Sequence, residues 1–158
     1  MFTQADIVTT LQSIPCFLDL KPNQLEKLAN IVSVRQVDKG ECLFNEGDRT
    51  DTLFILLDGQ VRVTHHVPSH GDLITYTAEP LDFIGWSSLT PVVRQRTGST
   101  CATEPSRLLA FNAETLMHLC DEDHDIGFVI MRRIANVVAS RMLTMRLQLL
   151  DVIVQSGK

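Results

Sequence analysis

One glycine and two arginines, set about ten residues apart, carry the clearest chemistry in this chain. From Asp82 to Ala102 it reads DFIGWSSLTPVVRQRTGSTCA. An apolar segment stops at Ile84-Gly85, a short run of Trp86, Ser87, Ser88, Leu89 and Thr90 follows, and Pro91 breaks it. Unhindered N–H groups at the start of a helical turn after a glycine attract an anion. Arg94 and Arg96 can close on the same anion as planar, bidentate donors. The spacing is that of a cradle for phosphate.

A second stretch lies upstream. Lys39 to His66 reads KGECLFNEGDRTDTLFILLDGQVRVTHH, with glycines at Gly40, Gly47 and Gly59. Together the two stretches resemble the cyclic nucleotide-binding domain family of catabolite activators, kinase regulatory subunits and gated channels. The family pattern is met by Gly40, Leu43, Phe44, Gly47, Asp48, Asp51, Leu53, Phe54, Ile55, Leu56, Gly59 and Val61. With the flanking helices the resemblance covers nearly the whole chain. It implies a mainly β fold with flanking helices, a jelly-roll-like β-roll that holds a cyclic phosphate in a cassette between two strands.

The closing half of the cassette, Arg96-Thr97-Gly98-Ser99-Thr100-Cys101-Ala102, is similar to the family's R-T-A-T-V-x-A. By that resemblance Arg96 clamps the cyclic phosphate, assisted by Thr97 and the amides after Gly85, with Arg94 as a substitute clamp. The opening half departs from the family's F-G-E-(L/I)-(A/G)-L, because Ile84-Gly85-Trp86-Ser87-Ser88-Leu89 stands there. The family glutamate accepts a hydrogen bond from the ribose 2′-hydroxyl, and the Trp86 indole cannot accept one. Two roles are open to Trp86, a core anchor or a stacking platform for a base. The phosphate half is kept and the sugar half altered, so binding is expected to be weaker or differently selective, with cAMP ahead of cGMP.

At 158 residues the chain is expected to be one domain with room for a core. A hydrophobic share of 44% and a charged share of 21% fit a globular protein, and the net charge of −5 argues against a broad nucleic-acid surface. No apolar run reaches the length of a membrane span, and the N-terminus lacks the form of a signal peptide. Cys16, Cys42, Cys101 and Cys120 lack C-x-x-C spacing, so they read as reduced thiols of a cytoplasmic protein and not as metal ligands.

The elements that must position the cradle follow from periodicity. The chain divides into N-terminal helices over 1–32, a β-roll over 33–112 with the cassette at 83–97, and C-terminal helices over 113–154. Ala5 to Ser13 is amphipathic, and Pro22 opens a second helix that buries Leu25, Leu28, Ala29 and Val32. Leu53 to Leu57 is nearly all apolar, as a strand covered on both faces would be, and Asp58-Gly59 marks a hairpin. Asn112 N-caps a short helix. A long helix follows from about Asp125 to Ile153, with a stripe of Met131, Ile134, Val138, Met142, Met145, Leu149 and Val152. Its far end overhangs any single core, so a homodimer through this helix is expected.

Only Gln155 to Lys158 follow, and with the acidic charge this gives an expectation of no direct DNA binding. His65 and His66 point to opposite faces of a strand and do not suit one metal ion. No nucleophile elbow surrounds Ser87 or Ser88, so no enzymatic turnover is expected. The resemblance points to a non-enzymatic cyclic nucleotide receptor that signals by moving its long helix towards an unidentified partner, with Arg146 late in that helix as a lid contact over the base. The alternative is a degenerate fold serving as an interaction module or holding another ligand.

Overall fold

Turn residues cut the middle of the chain into eight strands, and helices close both ends. A computed structural model of the chain describes residues 3–157. Helices α1 (Gln4–Gln12) and α2 (Pro22–Ile31) lead into strands β1 (Val32–Val37), β2 (Cys42–Phe44), β3 (Thr52–Asp58), β4 (Val61–Val67) and β5 (Gly71–Ala78). After β6 (Phe83–Ile84) comes a 3-10 turn (Trp86–Leu89), then β7 (Ser99–Ala102), β8 (Ser106–Asn112), α3 (Ala113–Glu122) and α4 (His124–Ser156). The strands form two antiparallel four-stranded sheets, ordered β1-β8-β3-β6 and β2-β7-β4-β5. This is the expected roll with its flanking helices.

Strand β3 explains why there are two cores. Its apolar residues alternate between faces: Leu53 and Ile55 join the helix-side cluster with Phe17, Leu28, Phe111 and Leu116, while Phe54 and Leu56 join the roll interior with Val61, Ala78, Ile84 and Leu108. A strand covered on both faces reads as an unbroken apolar run. On β4 the period-2 pattern also holds. His65 is half-buried with Nδ1 2.9 Å from Thr75 Oγ1, whereas its neighbour His66 is exposed and pairs with Asp72.

The helix ends are capped by named side chains. Asn112 accepts the Thr115 N–H at 3.0 Å to start α3. Asp123 caps α4 and is itself held from α2, by Gln24 Nε2 at 2.8 Å and Lys27 Nζ at 2.7 Å. Those contacts, led by the Lys27 bond, hold the Asp123 carboxyl below its ordinary range. The N-terminal helices are therefore tied to the root of α4. That helix runs 33 residues, roughly 50 Å. It buries Ile126, Val129, Ile130, Ile134 and Val137 in the helix-side core, and every described residue from Met142 onward is exposed.

One expectation is corrected. Cys42 and Cys101 are register partners on β2 and β7 and are joined by a disulfide. Fifty-nine residues separate them, so sequence spacing carries no sign of the pairing; only the antiparallel register brings the two together. Cys16 and Cys120 are free, and burial pushes both thiols up to about 11.

Candidate binding site

The cassette is built around a close approach between Gly85 and Arg96. Gly85 has φ +74°, a left-handed conformation that an L side chain adopts at a cost, and a Cβ there would stand 2.7 Å from Arg96 Nη1 and 2.9 Å from the Thr52 carbonyl. The chain turns at Gly85 into the short 3-10 helix, whose first bond runs from Ser88 N–H to Gly85 O at 3.0 Å. Ile84 and Leu89 are buried at either end of this turn, and Trp86, Ser87 and Ser88 are half-buried between them. Glycine is required here by the guanidinium as much as by the turn.

Arg96 is only 4% exposed. Its Nη1 donates to Gly85 O at 3.1 Å and more weakly to Ser87 Oγ at 3.4 Å, its Nη2 donates to Thr52 O at 2.6 Å, and Nε has no partner among the described residues. The guanidinium lies 4.0 Å above the centre of the Phe44 ring, a cation–π contact. Burial lowers its pKa, while Asp51 and Asp48 nearby oppose that shift. The backbone around it is pinned as well: Gly47 N–H bonds Arg96 O and Arg96 N–H bonds Asp48 O, each at 2.8 Å. Here an arginine is parked on backbone carbonyls at the edge of the roll, with one donor unused.

From Arg96 a single row of side chains crosses the floor of the roll. Phe44 is opposite Thr100, Thr100 opposite Val63, and Val63 opposite Tyr76. Residues directly opposite on antiparallel strands project from the same face, so this row faces the interior from β2 through β7 and β4 to β5. Thr100 is 0% exposed and its Oγ1 has no partner among the described residues. At about 4.8 Å per strand the row spans roughly 14 Å.

Its far end meets α4. The Arg141 guanidinium lies over the Tyr76 ring, and Tyr76 Oη donates to Asp82, the residue that leads into β6 and the cassette. Burial, then donation to Asp82, pushes the Tyr76 hydroxyl up to about 12, and burial lowers the Arg141 pKa. Two turns earlier Arg133 donates to Leu81 O at 3.3 Å and stacks on Phe83. Helix α4 thus grips the β5–β6 connection just before Gly85.

The residues expected at the site divide into four groups. Ile84, Gly85, Ser87, Ser88, Leu89 and Arg96 assemble in the cassette, with Thr97 exposed beside them. Trp86 packs on the helix-side core while half-exposed. Arg94 instead lines an open cavity of about 1020 Å³ with Arg49, Pro91 and Met117, which borders the cassette at Ser88 and Leu89 but is not lined by Arg96. Arg146 is exposed on the part of α4 beyond the roll. Arg141 and Tyr76 escape a reading of the sequence because neither belongs to a motif; only the crossing of α4 over β5 joins them.

Comparison with known proteins agrees with the fold. The sequence model of the cyclic nucleotide-binding domain matches residues 34–123. A cGMP-dependent protein kinase of Drosophila melanogaster, isozyme 2, is 34% identical over 64 residues, 40% of this chain and 7% of the kinase. This chain thus aligns with a small part of that relative. Among solved structures, a cyclic nucleotide-binding domain from Methylobacillus flagellatus superposes with a TM-score of 0.78 at 20% identity, covering 94% of this chain and 83% of that one. The catabolite activator protein of Thermus thermophilus superposes with a TM-score of 0.71 at 23% identity, covering 88% and 62%.

Proposed function

Because the chain belongs to the cyclic nucleotide-binding domain family, we propose that it is a non-enzymatic receptor for a cyclic nucleotide. The observation that carries this reading is Arg96, buried at the mouth of the cassette with Nε unused among the described residues and its Nη atoms resting on the Gly85 and Thr52 carbonyls. A cyclic phosphate offers that guanidinium a charged acceptor, and charge-assisted bonds are roughly twice as strong as neutral ones. The phosphate then lies between Arg96, Thr97 and the amides following Gly85. Trp86 stands where the ribose acceptor would be, so the sugar is held less tightly.

Signal output runs through α4. Moving the cassette disturbs Leu81–Phe83, to which Arg133 fastens the helix directly and Arg141 through Tyr76 and its bond to Asp82. A ligand that favours one helix position shifts the population towards it. The exposed stripe of Met142, Met145, Leu149 and Val152 is apolar enough to pair with a second copy, and the reading includes a homodimer through it and a cytoplasmic site of action. The downstream partner is a protein that senses the helix position. Glutamate at Met145 and Leu149 together should then give a monomer by light scattering.

A second reading is favoured by the same arginine. Its strongest hydrogen bonds within the chain go to carbonyls, so Arg96 is tolerated without a phosphate, as it would be in an interaction module with a closed pocket. Calorimetric titration with cAMP and cGMP, repeated on Arg96→Ala, separates the two. Saturable binding lost in the variant supports the receptor; no heat from the folded wild type supports the module.

A further inference from the structure

The Cys42–Cys101 disulfide joins two strands outside both hydrophobic cores. Neither residue belongs to the helix-side cluster or to the roll interior, and both are half-buried. Thr100 faces the interior, so its neighbour Cys101 projects from the outer face of the sheet, opposite Cys42 on β2 and Arg62 on β4. A disulfide placed there is open to attack by a thiolate from solvent. The exposed Arg62 favours a thiolate at Cys101 as the leaving group. In the cytoplasm, where the receptor reading has the chain act, protein disulfides are as a rule transient, catalytic or redox-sensing.

Redox state reaches the cassette through β2. This edge strand has three residues and a register shift between Cys42 and Phe44. Past the shift Phe44 is opposite Thr100 and sets its ring beneath the Arg96 guanidinium, 4.0 Å from the ring centre. Two thiols need more room than a covalently bonded pair. Reduction therefore parts β2 from β7 at Cys42 and withdraws Phe44 from Arg96.

Resting on the receptor reading above, we propose that Cys42–Cys101 is a reversible thiol–disulfide exchange site whose oxidised form holds Phe44 against the Arg96 clamp, so that nucleotide affinity follows redox state. The co-reactant is a dithiol, on a small molecule or a protein. One of its thiolates attacks Cys42 Sγ, which forms a mixed disulfide and releases Cys101 as a thiolate that takes up a proton. The second thiolate then attacks the dithiol's own sulfur in the mixed disulfide and releases Cys42, which is protonated in turn. Two electrons and two protons pass to the cysteines, and the dithiol leaves as a disulfide.

The test compares the full chain in its oxidised form, after reduction with dithiothreitol, and as the Cys42→Ser, Cys101→Ser double variant. Alkylation after denaturation should count two free thiols in the oxidised form and four in the reduced form, and glutathione disulfide should restore two. Calorimetric titration with cAMP and cGMP should find the reduced form and the double variant about twofold to 30-fold weaker than the oxidised form, the loss that a broken cation–π contact implies. In Phe44→Leu, affinity should be low and the same in both redox states. Circular dichroism checks that each form is folded. Several results overturn the proposal and leave the receptor reading in place: a disulfide that resists dithiothreitol, unfolding on reduction, reduced protein that binds as tightly as oxidised, or redox dependence that survives in Phe44→Leu. Absence of binding in both redox forms overturns the proposal and the receptor reading together.

Discussion

Replacing Gly85 with alanine separates the demand of the turn from the demand of the arginine. The new Cβ would lie 2.7 Å from Arg96 Nη1 and 2.9 Å from Thr52 O, at φ +74°. A left-handed L residue costs about 1–2 kcal/mol. Thr52 O is backbone at the edge of β3 and cannot retreat freely, so the guanidinium must give way and lose its bonds to Gly85 and Thr52. A hydrogen bond to a charged group is worth about 1.5–3 kcal/mol. Gly40 supplies the control: its φ is +88° and a Cβ placed there would meet nothing within 4 Å, so Gly40→Ala carries the conformational cost alone. Urea unfolding should find Gly85→Ala less stable than Gly40→Ala by about 1.5–3 kcal/mol. Cyclic nucleotide affinity should fall roughly tenfold to 150-fold in Gly85→Ala only. Equal destabilisation by the two variants, with affinity unchanged, would refute the claim that Arg96 sets the glycine requirement.

Other perturbations follow from the packing and the caps. Phe111 is fully buried among helix-side core residues, so Phe111→Ala should destabilise by about 3–5 kcal/mol in urea titration. The Cys42–Cys101 bond closes a loop of 59 residues; its reduction, or Cys42→Ser with Cys101→Ser, should lower stability by about 2–4 kcal/mol, read as a urea midpoint with and without dithiothreitol. Asp123 has a depressed carboxyl pKa because of Lys27 and Gln24. Its stabilising contribution is complete above the unfolded-state value near 3.8 and is lost as pH falls through the lower folded value. The acid-induced loss of stability should therefore be smaller in Lys27→Met than in wild type when urea midpoints are compared at neutral and strongly acidic pH.

The roll is legible in the sequence because its signals are local. Gly40, Gly47 and Gly59 occupy left-handed turns, and β3 shows its two-sided burial as an unbroken apolar run. The partnership of Gly85 with Arg96 can be read from a short stretch of sequence because the cassette is nearly continuous. Whatever depends on which distant strands are neighbours stays hidden. Cys42 and Cys101 look like isolated thiols until β2 is paired with β7, and Tyr76 looks like an ordinary strand residue until α4 crosses it. Trp86 is open to two roles in the sequence because a single aromatic next to a turn can face either core; its contacts lie on the helix side. Arg94 and Arg96 are two residues apart, yet one faces an open cavity and the other is buried, a division that composition could not supply.

Trp86 is the only tryptophan in the chain and sits inside the cassette next to Gly85, so its fluorescence reports on that turn without added labels. The most direct test of a phosphate cassette at Gly85–Arg96 is a fluorescence titration with cGMP and cAMP on wild type and Arg96→Ala. A saturable change in the wild type, absent from the folded Arg96→Ala protein, is the predicted result. A flat response in the wild type, or the same response in both proteins, would contradict it.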